Sequence, residues 1–253
     1  MSRAFRAGAA AVVASLAIVP PACADWTIGG FIGGAHTRTG SLQLTRPADS
    51  TSIVLSPVRY RSESMTPPIY YGYRAAVFPR SHWFGIEGEF IHLKVVADTA
   101  RDTQISGTLR GQPASGSVRL SSVIERFSIS HGVNLLLVNA VARHRAPAAG
   151  GGDPRWTVTA RVGAGASIPH PESAIGGSYA EGYEWGAFSA QAAAGLEVRL
   201  LRRVSVLAEY KLSRTVQHVT VPQGTARTPL TTQHVVAGLA LRVGAPRRTP
   251  AVF

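Results

Sequence analysis

Residues 83–96 read WFGIEGEFIHLKVV. In an extended chain successive side chains point to opposite faces, so Phe84, Ile86, Gly88 and Phe90 share one face, and Gly85, Glu87 and Glu89 share the other. The same division recurs at 185–200, where Phe188, Ala190, Ala192, Ala194, Leu196 and Val198 oppose Ser189, Gln191, Gly195, Glu197 and Arg199. It recurs again at 204–213, where Val204, Val206, Ala208, Tyr210 and Leu212 oppose Ser205, Glu209, Lys211 and Ser213. A water-soluble barrel with such strands would have to bury the charges or expose the apolar stripe. A barrel with lipid outside and a polar interior does neither.

Eight segments carry this alternation: Trp26 to Gln43, Ile69 to Phe78, Trp83 to Val96, Ser122 to Arg143, Trp156 to Ala166, Trp185 to Leu200, Val204 to Val216 and Thr231 to Val243. The joins at Pro79 to His82, His144 to Arg155 and Leu201 to Arg203 are turn-like. Those around Thr45 to Pro68, Ala97 to Ser121, Ser167 to Glu184 and Gln217 to Leu230 are long. Short turns at one end and long loops at the other predict an all-β, eight-stranded, antiparallel up-and-down transmembrane barrel, with periplasmic turns and extracellular loops. Eight strands enclose a space that side chains fill. The Gly, Ser and Pro content of Thr103 to Ser117 predicts partial disorder there. A soluble lipocalin-like barrel is the competing fold, with its apolar face inside.

The ends frame this domain. Met1 to Arg6 are basic, Ala7 to Val19 are mostly apolar, and Ala22-Cys23-Ala24 is a small-x-small ending, which reads as a secretory signal peptide over 1–24. The barrel domain then covers 25–245, and 246–253 is a C-terminal tail closing on Phe253. Cleavage after Ala24 removes the single cysteine, and with it disulfides and thiolate metal sites. After the leader no apolar run reaches the length of a membrane helix, and only helices and closed barrels satisfy their backbone in lipid. The net charge of +12, which includes Arg3 and Arg6, points in an exported chain to anionic lipid headgroups and lipopolysaccharide, not to nucleic acid. A monomer is expected.

Trp26, Trp83 and Trp156 begin the first, third and fifth segments, as interfacial aromatics at one membrane edge, with Tyr70, Tyr71 and Tyr73 nearer the other. Inward stripes predict a lumen network of Arg74, Glu87, Glu89, Arg126, Arg161, Glu197, Arg199, Glu209 and Lys211. Such a network is either a salt-bridged filling or a general acid or base tuned by its neighbours. The outer rim would hold His36, His92, Lys94, His131, Asn134, His170, Glu172, Glu181, Glu184, His218 and His234. Histidines with carboxylates can hold a divalent metal, and Lys94 a lipid phosphate. His170-Pro171-Glu172 is suggestive without being diagnostic. Strict alternation from Phe127 and Ile129 would put His131 on the lipid face unless a bulge near Gly132 turns it inward.

These features resemble the small eight-stranded outer-membrane proteins of Gram-negative bacteria typified by the OmpA transmembrane domain and OmpX, which implies an outer-membrane location. More narrowly, GIEGEFIHLKVVAD (85–98) and SHGVNLLLVNAVAR (130–143) resemble segments of lipid A oxidase-like outer-membrane proteins. That second resemblance implies a metal- and oxygen-dependent modification of lipid A, with Glu87, Glu89, His92 and His131 as candidate catalytic residues. The His-x-Ser motif of the outer-membrane lipid A deacylase is not matched, since Ser130 directly precedes His131. The first reading is a non-catalytic barrel that is structural or contacts lipopolysaccharide, with no cofactor. The alternative is the lipid A-modifying enzyme, with a divalent metal, and a small-solute channel ranks below both.

Overall fold

The computed structural model describes residues 24–79, 83–146 and 154–243. Of the leader only Ala24 falls among them, and the 246–253 tail lies outside them. Eight strands form the barrel: β1 (Ala24–Thr37), β5 (Tyr71–Pro79), β6 (Phe84–His92), β11 (Leu135–Arg145), β12 (Trp156–Ser167), β15 (Phe188–Arg199), β16 (Val204–Val221) and β17 (Gly224–Val243). Each pairs antiparallel with the next in that order, and β17 returns to pair with β1 from Trp26↔Val243 to Thr37↔Thr232. The sheet is therefore closed, and no barrel edge is left to be satisfied in lipid. No helix among the described residues is long and apolar enough to cross a membrane.

The faces place this barrel in the outer membrane. Ile28, Ile32, Tyr73, Ile86, Val138, Val158, Val162, Phe188, Tyr210, Leu212, Val235 and Leu239 are exposed on the outside, whereas Arg74, Glu87, Glu89, Arg161, Glu209 and Lys211 are buried within. Along β17 the outward apolar positions run from Val243 to Val235. That is about 27 Å of strand at ~3.4 Å per residue, or about 21 Å once tilted by ~40°, close to the ~25 Å apolar band of such barrels.

Five of the membrane strands are shorter than the sequence predicts, but β12 is a residue longer and β16 and β17 run on as one hairpin through the long connection expected at Gln217 to Leu230, and the other outer connections are more ordered too. Three further strands lie between β1 and β5: β2 (Gly40–Arg46), β3 (Thr51–Val58) and β4 (Tyr60–Arg61). Four lie between β6 and β11: β7 (Val95–Ala97), β8 (Asp102–Leu109), β9 (Gln112–Arg119) and β10 (Arg126–Ile129). Two lie between β12 and β15: β13 (Glu172–Ile175) and β14 (Ser178–Glu181). β2, β3, β8 and β9 continue the barrel sheet outward from the β17 end, and β14, β13, β10, β7 and β4 form a second sheet. Leu42, Leu44, Ile53 and Leu55 of the first join Tyr60, Val95, Phe127, Ile129 and Ile175 of the second in one apolar cluster. The cluster runs down to Phe31, Leu207 and Val236 of the barrel. Thr103 to Ser117, expected to be partly disordered, is the β8–β9 hairpin, because Thr103 and Ile105 bury an alternating face against this core.

Candidate functional site

Three groups of side chains stand out, one inside the barrel, one at its outer end and one on its outward face above the apolar belt. In the lumen Arg74 (β5), Glu87 and Glu89 (β6), Arg161 (β12), and Glu209 and Lys211 (β16) meet because each occupies an inward position of its strand. Arg161 Nε donates to Glu87 Oε1 at 3.0 Å, and Arg74 Nη1 donates to Glu209 Oε1 at 3.0 Å. Lys211 Nζ lies 2.7 Å from Glu209 and also binds Glu89, while Arg161 also binds Glu209. Asn139 donates to Glu87 (3.0 Å) and Glu89 (3.1 Å), and Gln191 donates to Glu89. Three guanidinium or ammonium groups thus face three carboxylates, so the buried charge closes to zero. Phe31 completes the filling, with Lys211 Nζ 4.8 Å and the Arg74 guanidinium 5.7 Å from its ring centre.

A cavity of about 30 Å³ borders this network toward the short-turn end, beside Arg143, Thr157 and Glu197. That is room for about one or two waters. The carboxylates of Glu87 and Glu89 are buried, and each accepts from more than one donor.

Other sequence-predicted lumen residues are placed differently. Glu197 sits at the edge of the network, 3.9 Å from Arg161 and 4.0 Å from Arg74. Arg199 ends β15 beside the short turn, two residues further toward it. Arg126 is not in the lumen: it belongs to β10 of the outer sheet and pairs with Glu172 at 2.5 Å. The reason is that the membrane strand predicted from Ser122 begins only at Leu135. An inner-end group went unread: Asp25 accepts from Arg143 (2.7 Å) and Arg145 (2.6 Å), with Arg143 stacked 3.4 Å above the Phe78 ring. Extending the alternation to the strand ends would have found it.

Trp26, Trp83 and Trp156 all lie at the short-turn end, and Trp83 and Trp156 are well exposed there. Tyr71 and Tyr73 project outward against Phe90, but Tyr70 is buried and bonds His234 Nδ1 at 3.0 Å. His234 is correspondingly no rim residue. Its other ring nitrogen meets Ser213 Oγ at 2.8 Å, which uses both nitrogens. Lys94 is buried, and its Nζ donates to the carbonyls of Thr66 (2.9 Å) and Pro67 (3.0 Å) instead of reaching a phosphate. Glu181 accepts from Tyr179, and Glu184 from the Thr220 amide.

The second group forms at the outer end, where the chain crosses from β10 to β11. β10 stops at Ile129, Gly132 (φ 105°) and Asn134 (φ 49°) redirect the backbone, and His131 stands on the extracellular connection, not on the lipid face. A side chain at Gly132 would collide with the His92 ring and the Asn134 amide. Asn134 holds the segment: its Oδ1 lies 2.9 Å from His92 Nδ1, and its Nδ2 donates to the Ile168 carbonyl at 3.0 Å. Backbone bonds from Ile168 N to Asn134 O (2.9 Å) and from His170 N to Gly132 O (3.1 Å) then dock the 168–170 segment alongside. Glu172 follows in β13, in register with Ser128 of β10. As a result His131, His170 and Glu172 converge, with one ligand atom from each lying within 4.8 Å of the others. Burial pushes the Glu172 carboxyl up, but the Ser130 hydroxyl bonded to it and the adjacent Arg126 and His131 hold it below the usual carboxylate range. His92, by contrast, packs on Tyr71 and does not join the trio.

Above the apolar belt, on the outward face of β1, β17 and β16, cations are stacked in rows. His36 and Leu212 flank Gln233, and one pair further out Arg38 and Arg214 flank Thr231. The Gln233 amide, turned to satisfy both ends, accepts from Arg38 Nε (3.1 Å) and Nη2 (3.0 Å) and donates to Tyr210 Oη (3.2 Å). His218 and Arg227 pair two rows further out, past Val216 and Pro229, and both are exposed. None of these positions was singled out as a cationic row in the sequence, because Arg38 lies past the end of β1 and its neighbours come from strands nearly two hundred residues away.

No protein-family model and no curated protein matches the chain. Among solved structures it is similar to Neisserial surface protein A, with 10% identity over 86% of this chain and 97% of that one and a TM-score of 0.37. Ail, the attachment invasion locus protein of Yersinia pestis, shares 11% identity over 88% of this chain and 100% of that one, at a TM-score of 0.34. The outer membrane protease OmpT from Escherichia coli shares 9% identity over 88% and 97%, at a TM-score of 0.42.

Proposed function

We propose that this outer-membrane barrel is a non-catalytic protein that engages lipopolysaccharide through its outer rim. The observation that carries this reading is the outward row of Arg38 and Arg214 directly above the apolar belt, backed by His36, His218 and Arg227. Lipid-anchored phosphates sit at that level, and each basic side chain near such a surface contributes about 1 kcal/mol. Loss of both arginines removes about 2 kcal/mol, a factor of about 30 in affinity. The charge-neutral filling of the lumen supports the same reading, because it leaves the interior carboxylates nothing to act on.

The test is retention of lipopolysaccharide by refolded protein in detergent, comparing the unaltered chain with an Arg38→Ala/Arg214→Ala variant at two salt concentrations. Equal retention by the two proteins would overturn the assignment of the site. Lipid A modification is the second reading, favoured by the trio of His131, His170 and Glu172 at the same end. A changed mass of lipid A extracted from cells expressing the assembled protein would decide for it.

A further inference from the structure

We infer that His131, His170 and Glu172 form a binding site for a divalent transition-metal ion of the zinc class, open to the extracellular side. The inference stands whether or not the barrel is catalytic, since it concerns the ligands alone. Two imidazoles and one carboxylate are a donor set that suits zinc or ferrous iron and is poorly matched to calcium or magnesium, which take oxygen. Their ligand atoms lie within 4.8 Å of one another. Around a tetrahedral ion with bonds of ~2.0–2.1 Å such atoms stand about 3.3 Å apart. Closing the set around an ion therefore takes at most about 1.5 Å of movement, and the His131 side chain, 56% exposed, has room to turn.

Three further observations point to a ligand. His170 Nδ1 is buried without a hydrogen-bond partner, so one of its nitrogens is unspent where most buried polar atoms are satisfied. The Glu172 carboxylate is oriented from behind by Arg126 on Oε2, while Oε1 faces His131 Nδ1 at 2.9 Å. Outer partners of this sort hold a ligating carboxylate in place. Finally, His170 is positioned by its amide bond to Gly132 O and by edge contact with Tyr183 at 4.4 Å between ring centres. Three protein ligands leave at least one position for water or an external oxygen, which distinguishes the site from a closed structural one.

The experiment uses the full-length chain without a histidine tag, folded in detergent, titrated with Zn²⁺ by calorimetry and with Co²⁺ by visible absorption. One ion per chain is expected, with the visible bands of Co²⁺ in mixed nitrogen and oxygen coordination. His131→Ala, His170→Ala and Glu172→Gln should each weaken binding by at least about tenfold, while His36→Ala and His218→Ala leave it unchanged. Heat-modifiable gel migration reports folding of every variant. Absence of stoichiometric binding by the unaltered chain overturns the proposal even if a variant fails to fold. Binding that survives all three ligand substitutions, or that disappears with His36 or His218, overturns it as well.

Discussion

Replacing Lys211 by methionine removes one cation from a lumen that holds equal numbers of both signs. Its ammonium is fully buried, 2.7 Å from Glu209 and bonded to Glu89. At an effective dielectric of ~20 the Glu209 contact alone is about 6 kcal/mol of attraction, offset by several kcal/mol of ammonium desolvation. What remains after the substitution matters more. Glu209 keeps Arg74 at 3.0 Å and Arg161, but Glu89 keeps only Arg74 at 3.9 Å with the amides of Asn139 and Gln191. An unneutralised buried carboxylate then costs about 3–5 kcal/mol, and the two arginines left on Glu209 favour the lower end. Equilibrium urea unfolding in micelles should show a midpoint lower by ~1–3 M, for a loss of ~3 kcal/mol and slopes of ~1–3 kcal/mol/M. Adding Glu89→Gln restores neutrality, so the double variant should recover at least half of the loss. A single variant within about 0.5 kcal/mol of the original, or strictly additive effects in the pair, would show that the lumen charges are not coupled as a filling.

Three other outcomes are expected. The Tyr60 hydroxyl, buried against Thr228 in the outer sheet, is pushed up to about 12 by desolvation. The fold therefore favours its neutral form, and its contribution is complete below pH ~10 and lost as pH rises from there through about 12. Unfolding measured at pH 9 and pH 11.5 should show a loss of about 2 kcal/mol, and Tyr60→Phe should reduce it. Gly132→Ala meets both a left-handed backbone and the His92 and Asn134 side chains, so it should destabilise the outer connections by more than about 1 kcal/mol. Protease cleavage near 130–134 with the barrel fragment intact is the readout, and unchanged resistance would count against the packing described. In planar bilayers the protein should pass no steady current above the lipid background, because the buried side chains of Arg74, Glu87, Glu89, Arg161, Glu209, Lys211 and Phe31 fill the middle of the barrel.

Much of the barrel was legible in the chain. Alternation has a strict period of two, so Phe84, Ile86, Glu87 and Glu89 declare their faces without reference to any partner. The same parity, carried strand by strand, places Arg74, Arg161, Glu209 and Lys211 inside together. Parity fails where a strand leaves the membrane. Ser122 to Asn134 reads as a continuation of the following strand, yet Gly132 and Asn134 turn the chain, which moves Arg126 out of the lumen and His131 off the lipid face. The ordered outer hairpin at Asp102 to Arg119 was hidden for a related reason, since its few apolar residues are sufficient only when a core shared with other loops receives them.

By itself the sequence determined the closed eight-stranded architecture, its lipid-facing exterior and its charged interior, because each follows from local periodicity and the cost of unpaired backbone in lipid. Only the tertiary structure decided which charges neutralise one another, that Lys94 and His234 are spent on internal bonds, and that His131, His170 and Glu172 meet. The physical reason is range. A face is set by neighbours two residues away, whereas His131 and His170 come together through backbone pairing between two loops, for which no spacing in the chain is diagnostic.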